Sequence, residues 1–232
     1  MNITVIGRKE HRIFTIVTLA FLAVLFVIAA AAASGNGDGD AVATLSPITS
    51  AETEKKVYAV ICGDLPSGGE REKALGIFEG FGVKAVFFIN ADELESEVKA
   101  VSDIIAKGHS LGINCEGTSG MSKNEFLRWL ARQNERFYEQ TGRRPRYCLA
   151  QKDACRYAFE ACLSYGQYCV APARGITTGE EEIKKGDIIM CVTGSDDTLY
   201  AFVQAASAAA ANGLKPAPLK ELMREYEENA FS

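Results

Sequence analysis

The stretch Lys55–Pro66, KKVYAVICGDLP, is where the fold of this chain is read. Within it Val57–Cys62 is an uninterrupted apolar run that stops at Gly63, Asp64 and, two positions on, a proline. A short apolar run bounded by turn residues is the mark of a strand buried on both faces, as in a parallel sheet. Reading outward, Glu70–Phe81 has helical periodicity, and Lys84–Ile89 (KAVFFI) is a second strand of the same kind. Asp92–Lys107 then reads as a helix, His109–Ile113 as a strand, and Lys123–Thr141 as a long amphipathic helix.

The alternation continues with Arg146–Leu149 (strand), Ala154–Tyr165 (helix), Gln167–Val170 (strand) and Asp187–Val192 (strand). An alanine-rich helix, Leu199–Asn212, follows. Leu214–Pro218 carries two prolines and is expected to be an edge strand, before a closing helix at Leu219–Glu228. Strict β/α alternation predicts parallel strands with helices packed outside, and a working face at the strands' C-terminal ends. The glycines around Gly68–Gly69 and Gly117–Gly120 predict mobile loops, but no phosphate-loop pattern accompanies them.

The first part of the chain reads differently. Arg8, Lys9 and Arg12 precede Ile13–Ala33, a run of 21 residues without a charge. Such a run is long enough to span a bilayer, with its positive flank inside. The expected layout is a cytoplasmic tail (1–12), a transmembrane signal-anchor (13–33), a flexible linker (34–54) and an extracytoplasmic domain (55–232). The alanine-rich end of the run is also a signal-peptidase pattern, so the domain is secreted if the leader is cleaved. The chain has 232 residues, a net charge of −5 and no basic stripe, which argues against a nucleic-acid partner.

Five segments, in order, resemble the polysaccharide deacetylase (NodB-homology, carbohydrate esterase family four) domain. Lys55–Pro66 is similar to its strand ending in T-F-D-D-G-P, and Phe81–Ile89 (FGVKAVFFI) to G-V-K-A-T-F-F. Ala106–Asn114 (AKGHSLGIN) is similar to G-H-E-I-G-N-H, Thr141–Tyr147 (TGRRPRY) to T-G-x-R-P-x-x-F, and Gly186–Met190 (GDIIM) to G-D-I-I-L-L-H. The resemblance spans Lys55 to Met223 and implies an α/β fold, a distorted (β/α) barrel of parallel strands with outer helices.

The same resemblance implies a degenerate member. The family binds a divalent metal through an aspartate and an H-x-x-x-H pair, beside an aspartate base. Here the metal aspartate falls on Asp64, the base on Gly63 and the two histidines on Asn114 and Thr118. The family's later arginine falls on Leu149 and its late histidine on Val192. Independently of that match, the chain has two histidines, of which His11 lies before the apolar run and His109 at the start of a strand. Catalytic zinc sites usually draw on two or three imidazoles. No metal is therefore expected, Asp64 is read as vestigial, and zinc returns as a cofactor only if the site has been rebuilt.

Asp64, Asn114, Cys115, Glu116 and Thr118 remain as ligand-binding candidates at the mouth, with Cys62 nearby. A thiolate–carboxylate site would suit zinc. The competing reading buries the sulfurs and leaves the polar groups solvated. The run Thr193–Asp197 (TGSDD) is read as a loop and helix cap, with Ser195 or Asp197 as the capping side chain. Four of the seven cysteines, Cys148, Cys155, Cys162 and Cys169, are spaced by seven, which is read as coincidence. The expected function is a membrane-tethered, catalytically inactive deacetylase-like protein, of the kind found in spore-forming bacteria. It would bind cell-wall or spore-envelope glycan, or scaffold an envelope protein. The alternative is a divergent hydrolase acting on polysaccharide N-acetyl groups.

Overall fold

The computed structural model describes residues 46–230, as a parallel α/β domain whose sheet curls into a half-barrel. The expected membrane span at 13–33 and the first part of the linker lie outside the described residues. Among the described residues no helix is long and apolar enough to cross a membrane.

The elements are β1 (Val57–Cys62), α1 (Gly68–Phe81), β2 (Val86–Ile89), α2 (Ala91–Ser96), α3 (Val98–Ala106), β3 (Ser110–Asn114), α4 (Lys123–Thr141) and β4 (Tyr147–Leu149). Then come α5 (Ala158–Ser164), β5 (Tyr168–Val170), β6 (Arg174–Ile176), β7 (Ile188–Cys191), α6 (Asp196–Ala211), β8 (Lys215–Pro216) and α7 (Leu219–Ala230). The sheet order is β5-β4-β3-β2-β1-β7-β6, all parallel, and β8 pairs with β1. In β8, Lys215 and Ala217 donate to Lys56 and Tyr58, so Pro216 stands where no N–H is needed.

Alternation along each strand sorts the core. Ala59, Ile61, Val86, Phe88, Leu149, Val170 and Ile188 fill the inside of the curl, closed by Leu219, Leu222 and Met223 of α7. The alternate residues face the helices. Tyr58, Val60, Cys62, Phe87, Ile189 and Cys191 pack on one flank against Phe78 and Phe202. Ile113, Cys115, Cys148 and Cys169 pack on the other against Phe126, Leu130 and Cys162. Gly112 must be a glycine, because a Cβ there would lie 2.4 Å from the inward ring of Phe88.

Several features depart from the sequence reading. The helix expected over Asp92–Lys107 breaks at Glu97, where the backbone leaves helical geometry. The short first half is held by a capping box between Asn90 and Glu93. The first half packs Leu94 on one core flank, and the second half spans both flanks, with Val101 beside Leu94 and Ile104 on the other. The helix expected from Ala154 starts at Ala158, and the three-residue strand β6 was too short to show a period. Gly68–Gly69 open α1, where a loop was expected.

The linker read over 34–54 enters the fold by Ile48. Ile48 exchanges backbone hydrogen bonds with Cys169 and Ala171, and Ala51 and Thr49 do so with Gly186 and Ile188. This segment bridges Val170 on the edge strand β5 and Asp187 at the entry to β7, and it buries Ile48, Ala51 and Thr53. Gly186 accommodates it, with φ +81° and only 2.0 Å between an ideal Cβ and the Ala51 carbonyl oxygen.

Candidate functional site

The C-terminal ends of β1, β3, β4 and β7 form the mouth. Gly63 and Asp64 follow β1 directly, Asn114 ends β3, Gln151 lies just past β4, and Met190 and Thr193 lie at the end of β7. Asn114 and Asp64 are therefore brought to the mouth as the sequence predicts. The Asn114 amide donates to the Gly63 carbonyl at 3.1 Å, and its oxygen accepts from the Glu116 N–H at 3.1 Å. One Asp64 carboxylate oxygen accepts from the Thr193 hydroxyl at 2.9 Å. Thr193 is fully buried, and this partner was missed by sequence because it hides in a run that reads as a cap. The cap itself is Ser195, which accepts from Thr198 N–H.

Thr118 is not a free ligand. Its hydroxyl donates to the Cys115 carbonyl at 2.6 Å and accepts from the Cys155 N–H at 2.9 Å, and the residue is 2 % exposed. Asp153, which sequence did not single out, holds the same loop. Its carboxylate accepts from Gly117 N–H and the Ser119 hydroxyl, and its carbonyl from Thr118 and Ser119 N–H. The loop at Gly117–Gly120, expected to be mobile, is tied down by these bonds. Glu116 is exposed beside it.

The thiols do not join the mouth, which corrects the grouping of Cys62 and Cys115 with Asp64. Strand alternation turns both sulfurs outward, Cys62 into the cluster with Cys191 and Cys115 into the cluster with Cys148, Cys162 and Cys169. All seven cysteines are buried and free. Burial pushes the Cys62 thiol well up, helped by Cys191 and the Asp64 carboxylate. The spacing of seven, read as coincidence, delivers Cys148, Cys155, Cys162 and Cys169 to one apolar cluster. Cys148 and Cys169 are register partners on β4 and β5, and hydrogen bonds from both lower the Cys162 thiol.

Of the remaining family positions, Leu149 is buried in the inner core and Val192 is half-buried. A Cβ at Gly63 would make ordinary contacts with Gln151 and Met190 at 3.4 Å, so an aspartate base has space there but is absent. His109 lies at the other end of β3. Its Nδ1 accepts from Ala85 N–H at 3.0 Å and its ring packs between Phe78 and Phe87. Burial, with the Lys84 and Lys107 cations, lowers it to about 4.

The residues present do not fit the divalent ion that the fold resemblance implies. Among the described residues no group of three or more His, Cys, Asp or Glu is placed to hold one. At the inherited position a single carboxylate faces an amide already tied to the backbone and a hydroxyl with both roles filled. Neutral oxygens of this kind suit hard ions in crowded cages rather than a three-ligand zinc centre.

No family model and no curated protein matches the chain. Solved structures do. A family 4 carbohydrate esterase from Bacillus anthracis superposes with a TM-score of 0.68 at 16% identity, over 82% of this chain and 95% of that one. BA3943, a CE4 family pseudoenzyme from Bacillus anthracis, gives 0.67 at 16% identity, over 78% and 69% of the two chains. PdaA of Bacillus subtilis, another family 4 carbohydrate esterase, gives 0.65 at 16%, over 79% and 87%. Enzymes and a pseudoenzyme thus share one frame, and the fold of this chain is that of the family four carbohydrate esterases.

Proposed function

We propose that this chain is a catalytically silent deacetylase-like domain, tethered to the outer face of a membrane, that binds cell-wall glycan or holds an envelope protein. The observation that carries the reading is the state of the mouth. Gly63 offers no base, Asn114 and Thr118 offer no imidazole, and the Thr118 hydroxyl is spent on holding its loop in place. Likeness of fold to a pseudoenzyme supports the silence without deciding the ligand. The apolar run at 13–33 supports the tether.

The divergent-hydrolase alternative needs a rebuilt site, and no observation favours it. Cys62 and Cys115 are buried in the core, and burial together with the Asp64 carboxylate pushes the Cys62 thiol up, away from the thiolate that a metal or nucleophilic site needs. Glycan recognition at the mouth would rest on Asp64, Asn114, Glu116 and Gln151. Tyr147 and Tyr168 stack on each other at the strands' opposite ends, and Trp129 packs on Phe126.

The test offers chitin oligosaccharides and purified peptidoglycan to the full-length protein and follows both binding and acetate release. Binding without acetate release, weakened by Asn114→Ala, is expected of a glycan module. No binding, with specific crosslinks from the anchored protein, assigns the scaffold role. Acetate release abolished by Asp64→Ala contradicts the proposal. The crystal structure of a BA3943 mutant described as having restored enzymatic activity suggests a converse test. Gly63→Asp with Asn114→His and Thr118→His is expected to raise metal affinity, at a cost in stability from the lost Thr118 bonds.

A further inference from the structure

The end of the barrel away from the mouth holds a cavity of about 480 Å³, at the N-terminal ends of β3 and β4. Its floor is apolar, built from Ile105, Leu111, Phe137 and Pro145. Its rim is cationic. Arg143, Arg144 and Arg146 come from the loop between α4 and β4, and Lys220 comes from the first turn of α7. No aspartate or glutamate lines the cavity. Among the described residues Arg143, Arg144 and Lys220 have no acidic partner, while Arg146 lies over the Tyr168 ring at 5.9 Å. Lys84 borders the adjoining depression, which shares Ser110, Tyr147 and Lys220 with the larger cavity.

Three arginines in four residues could be an ordinary solvated loop. The convergence of Lys220, contributed by a separate helix, on the same cavity is what sets this place apart. The chain carries a net charge of −5, yet four cations line this cavity and no carboxylate does; Glu227, beyond Tyr168, is engaged by the Tyr168 hydroxyl. Like charges held together repel, and an anion between them relieves the repulsion. Guanidinium forks match the oxygens of phosphate in paired hydrogen bonds, and the N-terminal end of α7 adds a favourable dipole. The volume lies in the range of small-ligand sites, and the apolar floor suits a ligand with a non-ionic body attached to its charge.

We propose that this cavity is a binding site for a phosphate-bearing ligand, its phosphoryl group held by Arg143, Arg144, Arg146 and Lys220 and its body seated on the Leu111–Phe137 floor. The site is separate from the mouth and does not depend on whether the mouth is silent. The phosphoryl group belongs either to a soluble phosphate ester or to a lipid headgroup.

The experiment is calorimetric titration of the full-length protein in non-ionic detergent with four probes. Pyrophosphate and glycerol 3-phosphate represent the soluble source. Dihexanoyl phosphatidylglycerol represents the lipid source, with dihexanoyl phosphatidylcholine as its zwitterionic partner. One-to-one binding of a phosphate probe, weakened about ten-fold or more by Arg143→Ala with Arg144→Ala, is expected. These side chains are exposed, so the variant keeps its fold. Lys123→Ala, at the far end of α4 and about 28 Å away, is expected to leave affinity unchanged. Preference for the soluble phosphates or for phosphatidylglycerol assigns the source and supports the site either way. Absence of binding by every probe, or binding unaltered by the arginine substitutions, overturns it.

Discussion

Replacing Thr118 by valine removes a hydroxyl and almost nothing else. In the wild-type chain that hydroxyl donates to the Cys115 carbonyl at 2.6 Å and accepts from the Cys155 N–H at 2.9 Å. Both partners are buried, so no water replaces the lost bonds. Each bond contributes about 1 kcal/mol net, and an orphaned buried N–H costs about 1–3 kcal/mol in place of that figure. The added methyl recovers up to about 0.8 kcal/mol. The expected loss is therefore about 2 kcal/mol, which for a domain of this size is a fall in melting temperature of about 4–8 °C. Thr118→Ser keeps both bonds and is the control. The assay is thermal and urea unfolding of the three proteins followed by circular dichroism, with glycan binding measured alongside. A loss below about 0.5 kcal/mol, or a valine variant that is stable but loses a bound ion, would refute the structural role assigned to Thr118.

Other expectations follow from the same geometry. Asp64→Asn keeps an acceptor for the Thr193 hydroxyl, so unfolding free energy should change by less than about 1 kcal/mol in urea titrations. Gly112→Ala drives a methyl into the Phe88 ring and should cost about 1–3 kcal/mol by the same assay, whereas an unchanged midpoint would mean the ring moves freely. His109 stays neutral in the fold down to about 4, while the unfolded chain takes up its proton near 6.5. Its contribution to stability is thus complete above pH 6.5 and lost as pH falls toward 4. The difference between wild type and His109→Gln should shrink by up to about 3 kcal/mol across that window. A flat difference would contradict the burial of the ring. The seven thiols should react with an aromatic disulfide reagent only as fast as the domain opens, and fast reaction of Cys115 or Cys62 in native buffer would place sulfur at the mouth after all.

Much of the frame was legible because its elements are long or fully buried. The run Val57–Cys62 and the helix Lys123–Thr141 occur with the boundaries read from sequence. The helix has a capping box at Ser122 and a left-handed glycine at Gly142, which mark its ends by type. What sequence could not show was direction and partnership. Period-two alternation says that Cys62 and Asp64 share a face, but the strand ends at Cys62, and the turn at Gly63 takes Asp64 out of that phase to Thr193 while the sulfur stays in the core. Ile48–Ala51 looked like tether because its polar and proline neighbours carry no period, and only the distant backbone of β5 and of Gly186–Ile188 gives it a place. The mouth was legible as an absence of histidines. Its internal ties, through Thr193 and Asp153, join residues 34 or more positions apart and leave no local signal. The cationic cavity is split in the same way between the Arg143–Arg146 loop and Lys220.

The most direct test of the silent mouth is the metal content of the purified, reduced protein after zinc, manganese and iron are each offered, set beside that of Asp64→Ala. The account predicts no stoichiometric metal in either protein. One equivalent of metal in the wild type that disappears with Asp64→Ala would contradict it and restore a hydrolytic centre to this fold.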